Sequence, residues 1–131
     1  MGPTEVDMAE RYESYEAFWP FYVSQHLHPT TRRLHFAGLT LAVVALVLGL
    51  LAWWGWLLAV PVVGYGLAWI AHFFVEKNKP ATFTYPLWSL RGDLRMYRLT
   101  LLGRMGPEVA RARDLFASRA EHLLHPRGAV E

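Results

Sequence analysis

Cysteine is absent from the 131 residues. That excludes disulfide frameworks, thiolate nucleophiles and cysteine-ligated zinc or iron–sulfur sites. Charge is the second scarcity. Between Leu34 and Val75 there is no Asp, Glu, Lys or Arg, and only His35 and His72 can become cationic. A soluble domain of 15.0 kDa rarely gathers its apolar residues into one such stretch. The net charge is also small, +2 with a pI of about 9.2, and gives no argument for nucleic-acid binding. The few basic residues matter by position instead.

What is present is oil and aromatic rings: 53% of the chain is hydrophobic and 15% aromatic. The distribution predicts an all-α integral membrane helical bundle, one domain over residues 1–131, with a two-span transmembrane hairpin and amphipathic interfacial helices. The acidic start (Glu5, Asp7, Glu10, Glu13, Glu16) does not read as a signal peptide, which carries a basic start and an early apolar core.

After a loose tail over residues 1–7, Tyr12, Tyr15, Phe18, Trp19, Tyr22 and Val23 recur at helical spacing and predict an amphipathic helix over 8–27, with Pro20 a possible kink. Its aromatic face suits either a membrane surface or the bundle. Pro29 then breaks the chain, and Thr30 or Thr31 is placed to cap the next helix. The first span is predicted over 31–51 and the second over 56–76. Between them the Trp-Trp-Gly-Trp run, residues 53–56, reads as a turn in the aromatic belt. Gly64 and Gly66 suit close helix contact and a possible homodimer. One long core helix over 34–76 would overshoot a bilayer, and the Gly/Trp break argues against it.

Arg32 and Arg33 precede the first span, Lys77 and Lys79 follow the second, and the turn between is uncharged. The positive-inside rule places both basic ends, and both termini, in the cytoplasm. A basic amphipathic helix follows over 89–102, with Arg91, Arg95 and Arg98 on one side and Leu90, Leu94, Tyr97 and Leu101 on another. It suits an anionic leaflet. A charged helix over 108–124 completes the pattern.

The hairpin has a chemical consequence. It brings His35, at the head of the first span, beside His72, at the foot of the second, at one membrane boundary. His26 arrives there from the end of the preceding helix, and Glu76 lies one turn beyond His72. Imidazoles with a carboxylate form a ligand set for Zn2+, Fe2+, Mn2+ or Cu2+. Glu76 reads as a ligand, as an acceptor orienting an imidazole, or as a salt-bridge partner of Arg32 or Arg33. His28, beside Pro29, reads as outer-sphere or surface, and His122 and His125 as surface residues. Asn78 and Asp93 are polar groups on the same side, and Asp93, after Gly92, reads as a helix N-terminal cap.

These segments, FWPFYVSQHLHPTTRRLHFAG and GYGLAWIAHFFVEKNKPATFTYPLWSLRGDLRMY with the hairpin between them, resemble the membrane family of fungal 2-hydroxy fatty acid dioxygenases and their bacterial homologues. The resemblance covers about residues 15–104, and Tyr22, His26, His35, His72, Glu76 and Pro80-Ala81 match its pattern in order. It implies an Fe2+-dependent dioxygenase of α-oxidation, in a bacterial inner membrane, that uses O2 to shorten a 2-hydroxy fatty acid by one carbon. In that frame His26, His35 and His72 hold the metal, Glu76 and Tyr22 are the catalytic candidates, and Arg32, Arg33 or Lys79 attract the substrate carboxylate. Where the fungal pattern often carries Asn between its first two histidines, this chain has Thr31 nearby. Two rival readings remain: a zinc-dependent lipid hydrolase with Glu76 as general base, and a non-enzymatic membrane scaffold or lipid-binding protein.

Overall fold

A computed structural model describes residues 11–124, with side chains to residue 118. His125 and the side chain of His122 lie outside the described residues, as do residues 8–10 at the head of the predicted first helix. Every regular element among the described residues is helical: α1 (Tyr15–Ser24), α2 (Pro29–Leu51), a 3-10 turn (Trp54–Leu58), α3 (Ala59–Ile70), a π-helical segment (Ala71–Glu76), a short 3-10 turn (Ala81–Phe83), α4 (Pro86–Leu101) and α5 (Met105–Leu124).

Helix α1 starts later than its periodicity suggests because Ser14 caps it, its side chain accepting from Ala17 N–H at 3.2 Å. It ends at Ser24, so His26 sits in the turn beyond. The aromatic face points inward. Tyr15, Phe18, Trp19, Tyr22 and Val23 pack with Met96 of α4 and with Met105, Val109 and Ala112 of α5. This is the main buried core, and it lies beside the apolar hairpin rather than within it.

Helix α2 is not capped by a threonine. Pro29 takes the first helical position, where its missing N–H costs nothing. Thr31 therefore falls in the first turn, buried, its hydroxyl without a hydrogen-bond partner. The cap residue is His28, and its N–H donates to Glu76 Oε1 at 2.6 Å. A carboxylate from the other end of the hairpin thus takes the place of a capping-box glutamate.

The chain breaks at Ala52–Trp53 and returns through the 3-10 turn into α3, so the apolar run is two antiparallel segments. Their close approach is made by Gly38. A Cβ there would lie 3.1 Å from the Val63 carbonyl oxygen and 3.2 Å from Leu67 Cβ. Of the glycines singled out for that task, Gly64 shares this contact, its carbonyl oxygen 3.3 Å from the same Cβ position on Gly38 and its own Cβ position 3.7 Å from Ala42 Cβ, whereas Gly66 faces open space. The segments Pro29–Leu51 and Trp54–Glu76 are both long and apolar enough to cross a membrane. Only 22% and 11% of their most apolar windows is buried, unlike the core helices of a soluble protein.

Candidate metal centre

Each of three histidines comes from a different element. His26 lies in the turn after α1, His35 one turn and a half into α2, and His72 in the π-helical segment. Wide π turns are often found at functional sites. Here the segment ends at Lys77, the one non-glycine residue with positive φ (57°) among the described residues. That left-handed turn lets Asn78 N–H reach back to the His72 carbonyl at 2.9 Å and sets the Asn78 side chain beside the His72 ring.

The three rings converge edge to face, their centroids 4.5, 4.6 and 5.0 Å apart. Nε2 of His35 lies 3.2 Å from Nε2 of His26 and 3.1 Å from Nε2 of His72. His26 and His72 are 1% and 3% exposed, and the His35 side chain 9%.

Each Nδ1 faces an oxygen. His26 Nδ1 donates to the Tyr22 carbonyl at 2.6 Å. His72 Nδ1 donates to Asn78 Oδ1 at 2.7 Å, and the Asn78 amide is fixed by its own donation to the Gln25 carbonyl at 3.1 Å. His35 Nδ1 lies 3.7 Å from Asp93 Oδ1, close enough to favour its proton there. With the protons on Nδ1, all three Nε2 atoms present lone pairs to one another. Lone pairs at that spacing repel unless a cation lies among them. Metal–imidazole bonds of ~2.1 Å, at angles between octahedral and tetrahedral, put donor nitrogens about 3.0–3.4 Å apart, and the two spacings above fall inside that range. The trio can hold a metal ion.

Burial, together with His35 and His72, holds the His26 imidazole well below its ordinary range. It is neutral at pH 7, the form that ligates. Burial raises the Asp93 carboxyl to about 6, against the opposing hydrogen bond from Tyr22. Burial and the Asp93 charge push the Tyr22 phenol well up, so it remains the donor in its short hydrogen bond to Asp93.

Asp93 is therefore not a helix cap. Helix α4 begins at Pro86, with proline in its first turn, and leaves Asp93 two turns inside. Gly92 makes the arrangement possible: a Cβ there would stand 2.9–3.1 Å from the Tyr22 ring, which lies flat on α4 and stacks on His26 at 4.2 Å. An aspartate beside a glycine on the buried face of an otherwise arginine-rich helix is the signal that could have found this pair.

Arg32 lines one cavity with the three histidines, and the other candidates are dispersed. Glu76 is on the His28 N–H, outside the histidine cluster, and the His28 side chain is exposed. Arg32 Nη1 donates to the carbonyls of His26 and Leu27 at 2.7 and 2.8 Å, closing the turn that carries His26. Arg33 is exposed, and so is Lys79, whose ammonium sits over the Phe83 ring.

A cavity of about 240 Å³ opens from the three histidines. It passes Phe36, Leu39 and Ala42 of α2 and Ala68, Gly64 and Val60 of α3, with α4 as its third wall. Ser89, 1% exposed, borders it, and its hydroxyl is buried with no hydrogen-bond partner.

Residues 12–105 match the family model described as 2-hydroxy-palmitic acid dioxygenase Mpo1-like. No curated protein and no solved structure matches the chain.

Proposed function

The chain belongs to the Mpo1-like family, and from that premise we propose that it is an Fe2+-dependent dioxygenase, embedded in a membrane, that shortens 2-hydroxy fatty acids by one carbon. The observation that carries the metal is geometric: three Nε2 atoms converge while each Nδ1 faces an oxygen. When bound, ferrous iron supplies a redox-active centre with positions left open for a hydroxy acid and dioxygen. The reaction balances without an outside reductant: one 2-hydroxy acid and one dioxygen give an acid one carbon shorter, carbon dioxide and water.

The protein's own contributions are holding, orienting and shielding. His26, His35 and His72 are the ligands. The Tyr22 carbonyl, Asp93 and Asn78 keep their Nδ1 protons in place, as outer-sphere acceptors do in metal proteins generally. Tyr22 and Glu76 work at one remove, through Asp93 and through the start of the helix that carries His35. In this reading the Glu76 bond to His28 makes the carboxylate a helix cap, where a hydrolase would use it as base. For the substrate's polar end, Ser89 offers the unpartnered donor beside the site that Arg33 and Lys79 do not.

The acyl chain fits the apolar cavity. From the level of His72 to that of Val60 the helix rises roughly 18 Å, comparable with the ~15 Å of one leaflet's hydrocarbon. The two apolar segments span the bilayer in this reading. Arg32, Arg33, Lys77 and Lys79 mark the cytoplasmic face of a bacterial inner membrane, and both termini lie on that side. A fatty acid held in the membrane then meets the site without leaving hydrocarbon.

The test is direct. Protein purified anaerobically is loaded with Fe2+, given 2-hydroxypalmitate, and exposed to O2. The acid shortened by one carbon should form in proportion to the oxygen consumed. Its absence from protein shown to hold iron would refute the proposal.

A further inference from the structure

The crossing of α1 and α4 forms a second cleft, of about 500 Å³, lined by Tyr15, Glu16, Arg91, Leu94, Arg95 and Arg98. Its makeup contrasts with the metal cavity. Three guanidinium groups face one carboxylate, Glu16, which lies 3.7 Å from Arg95 with a side chain 75% exposed. An exposed pair of this kind contributes little and is easily exchanged for another anion. Two of the arginines are already oriented. The Arg91 guanidinium lies 3.9 Å from the centre of the Tyr15 ring, and that of Arg95 lies 4.3 Å from the Trp19 ring. Stacked guanidiniums keep their N–H edges free for an oxyanion.

Two further observations point to a ligand. Tyr15, in the cleft wall, is 7% exposed, and its buried hydroxyl has no hydrogen-bond partner. Next to the arginines, Leu87, Leu90, Leu94 and Leu101 of the same helix are exposed. A ligand suited to both would carry a phosphate with apolar chains attached. Helix α4 also packs on α2, where Tyr97 stacks on Phe36 and pairs with Thr40 at 2.9 Å. Asp93, between Arg91 and Arg95 in the sequence, lies 3.7 Å from His35 in the second turn of α2, so that part of the cleft stands at the basic end of the apolar hairpin, where lipid headgroups would lie.

We propose that Arg91, Arg95 and Arg98 form a binding site for the phosphate of an anionic phospholipid, separate from the metal centre. The lipid pins α4 against α1 at the headgroup layer. Because α4 carries Asp93 and Ser89, the bound lipid also steadies one wall of the metal cavity.

The experiment uses the full chain in a neutral detergent. Mixed micelles contain phosphatidylglycerol or phosphatidylcholine with identical acyl chains, and the lipid retained per protein after washing is measured by mass spectrometry. Wild type should retain phosphatidylglycerol preferentially, and added salt should weaken the preference. Arg98→Gln, at an exposed position that should not disturb folding, should lower retention about five-fold, and Arg95→Gln by a similar factor. Arg33→Gln, a basic residue outside the cleft, should leave retention unchanged. Equal retention of the two lipids would overturn the proposal. So would an equal loss in Arg33→Gln, which would mark general interfacial charge, or displacement of the lipid by an equal concentration of inorganic phosphate.

Discussion

Asn78 Oδ1 accepts from His72 Nδ1 at 2.7 Å, across a left-handed turn at Lys77. The bond fixes both the tautomer and the direction of the ring, and it turns Nε2 toward the other two histidines. Asn78→Ala should therefore weaken metal affinity about 10–100-fold while leaving all three histidines in the chain. Asn78→Asp keeps an acceptor oxygen and should lose less. Competition with a chelating dye measures both.

Ser89→Ala should separate stability from activity. The hydroxyl is buried without a partner, so its removal should raise stability by about 1 kcal/mol, because an unmet desolvation cost disappears. If Ser89 holds the substrate's polar end, KM for a 2-hydroxy acid should rise several-fold in the same variant with metal content unchanged. Thermal unfolding and steady-state kinetics supply the two readouts.

Gly92→Ala addresses how α1 meets α4. A Cβ 2.9–3.1 Å from Tyr22 cannot be absorbed by a flexible chain end, since the obstacle is a buried ring. The expected cost is about 1–3 kcal/mol. Displacement of the ring should also strain the Tyr22–Asp93 bond, so metal affinity should fall along with the unfolding temperature.

Gly64 borders the cavity, and a Cβ there would meet Ala42 only at an ordinary 3.7 Å. Gly64→Ala should be tolerated. Gly64→Leu should project into the acyl path and shift the preferred 2-hydroxy acid to shorter chains. The ratio of kcat/KM values across a chain-length series reads this out, and an unchanged ratio would place the acyl chain elsewhere.

Much of this arrangement could be read in the chain itself, for identifiable reasons. An uncharged stretch broken only by two histidines and a tryptophan-rich turn has few ways to fold other than back on itself, and folding back juxtaposes His35 and His72. His26 follows from its position just before Pro29. What could not be read depended on contacts between distant segments. The role of Asp93 is hidden because a helix start at Ser89 makes it look like a cap, whereas Pro86 starts the helix a turn earlier. Glu76 looks like a ligand by its spacing from His72, and only the packed hairpin brings it to the His28 N–H. Arg32 borders the cavity where a substrate anchor would stand, and its donation to the His26 and Leu27 carbonyls has no sequence signature. The unsatisfied hydroxyl of Ser89 has no sequence signature.

The central claim is that His26, His35 and His72 bind one transition-metal ion. Its most direct test is the metal content of the protein purified in mild detergent, wild type beside His35→Ala, whose ring lies between the other two. About one iron per chain in the wild type, lost in the variant while the variant stays folded, is the predicted result. Wild-type protein that stays metal-free after incubation with ferrous salt, or iron retained equally without His35, would contradict it.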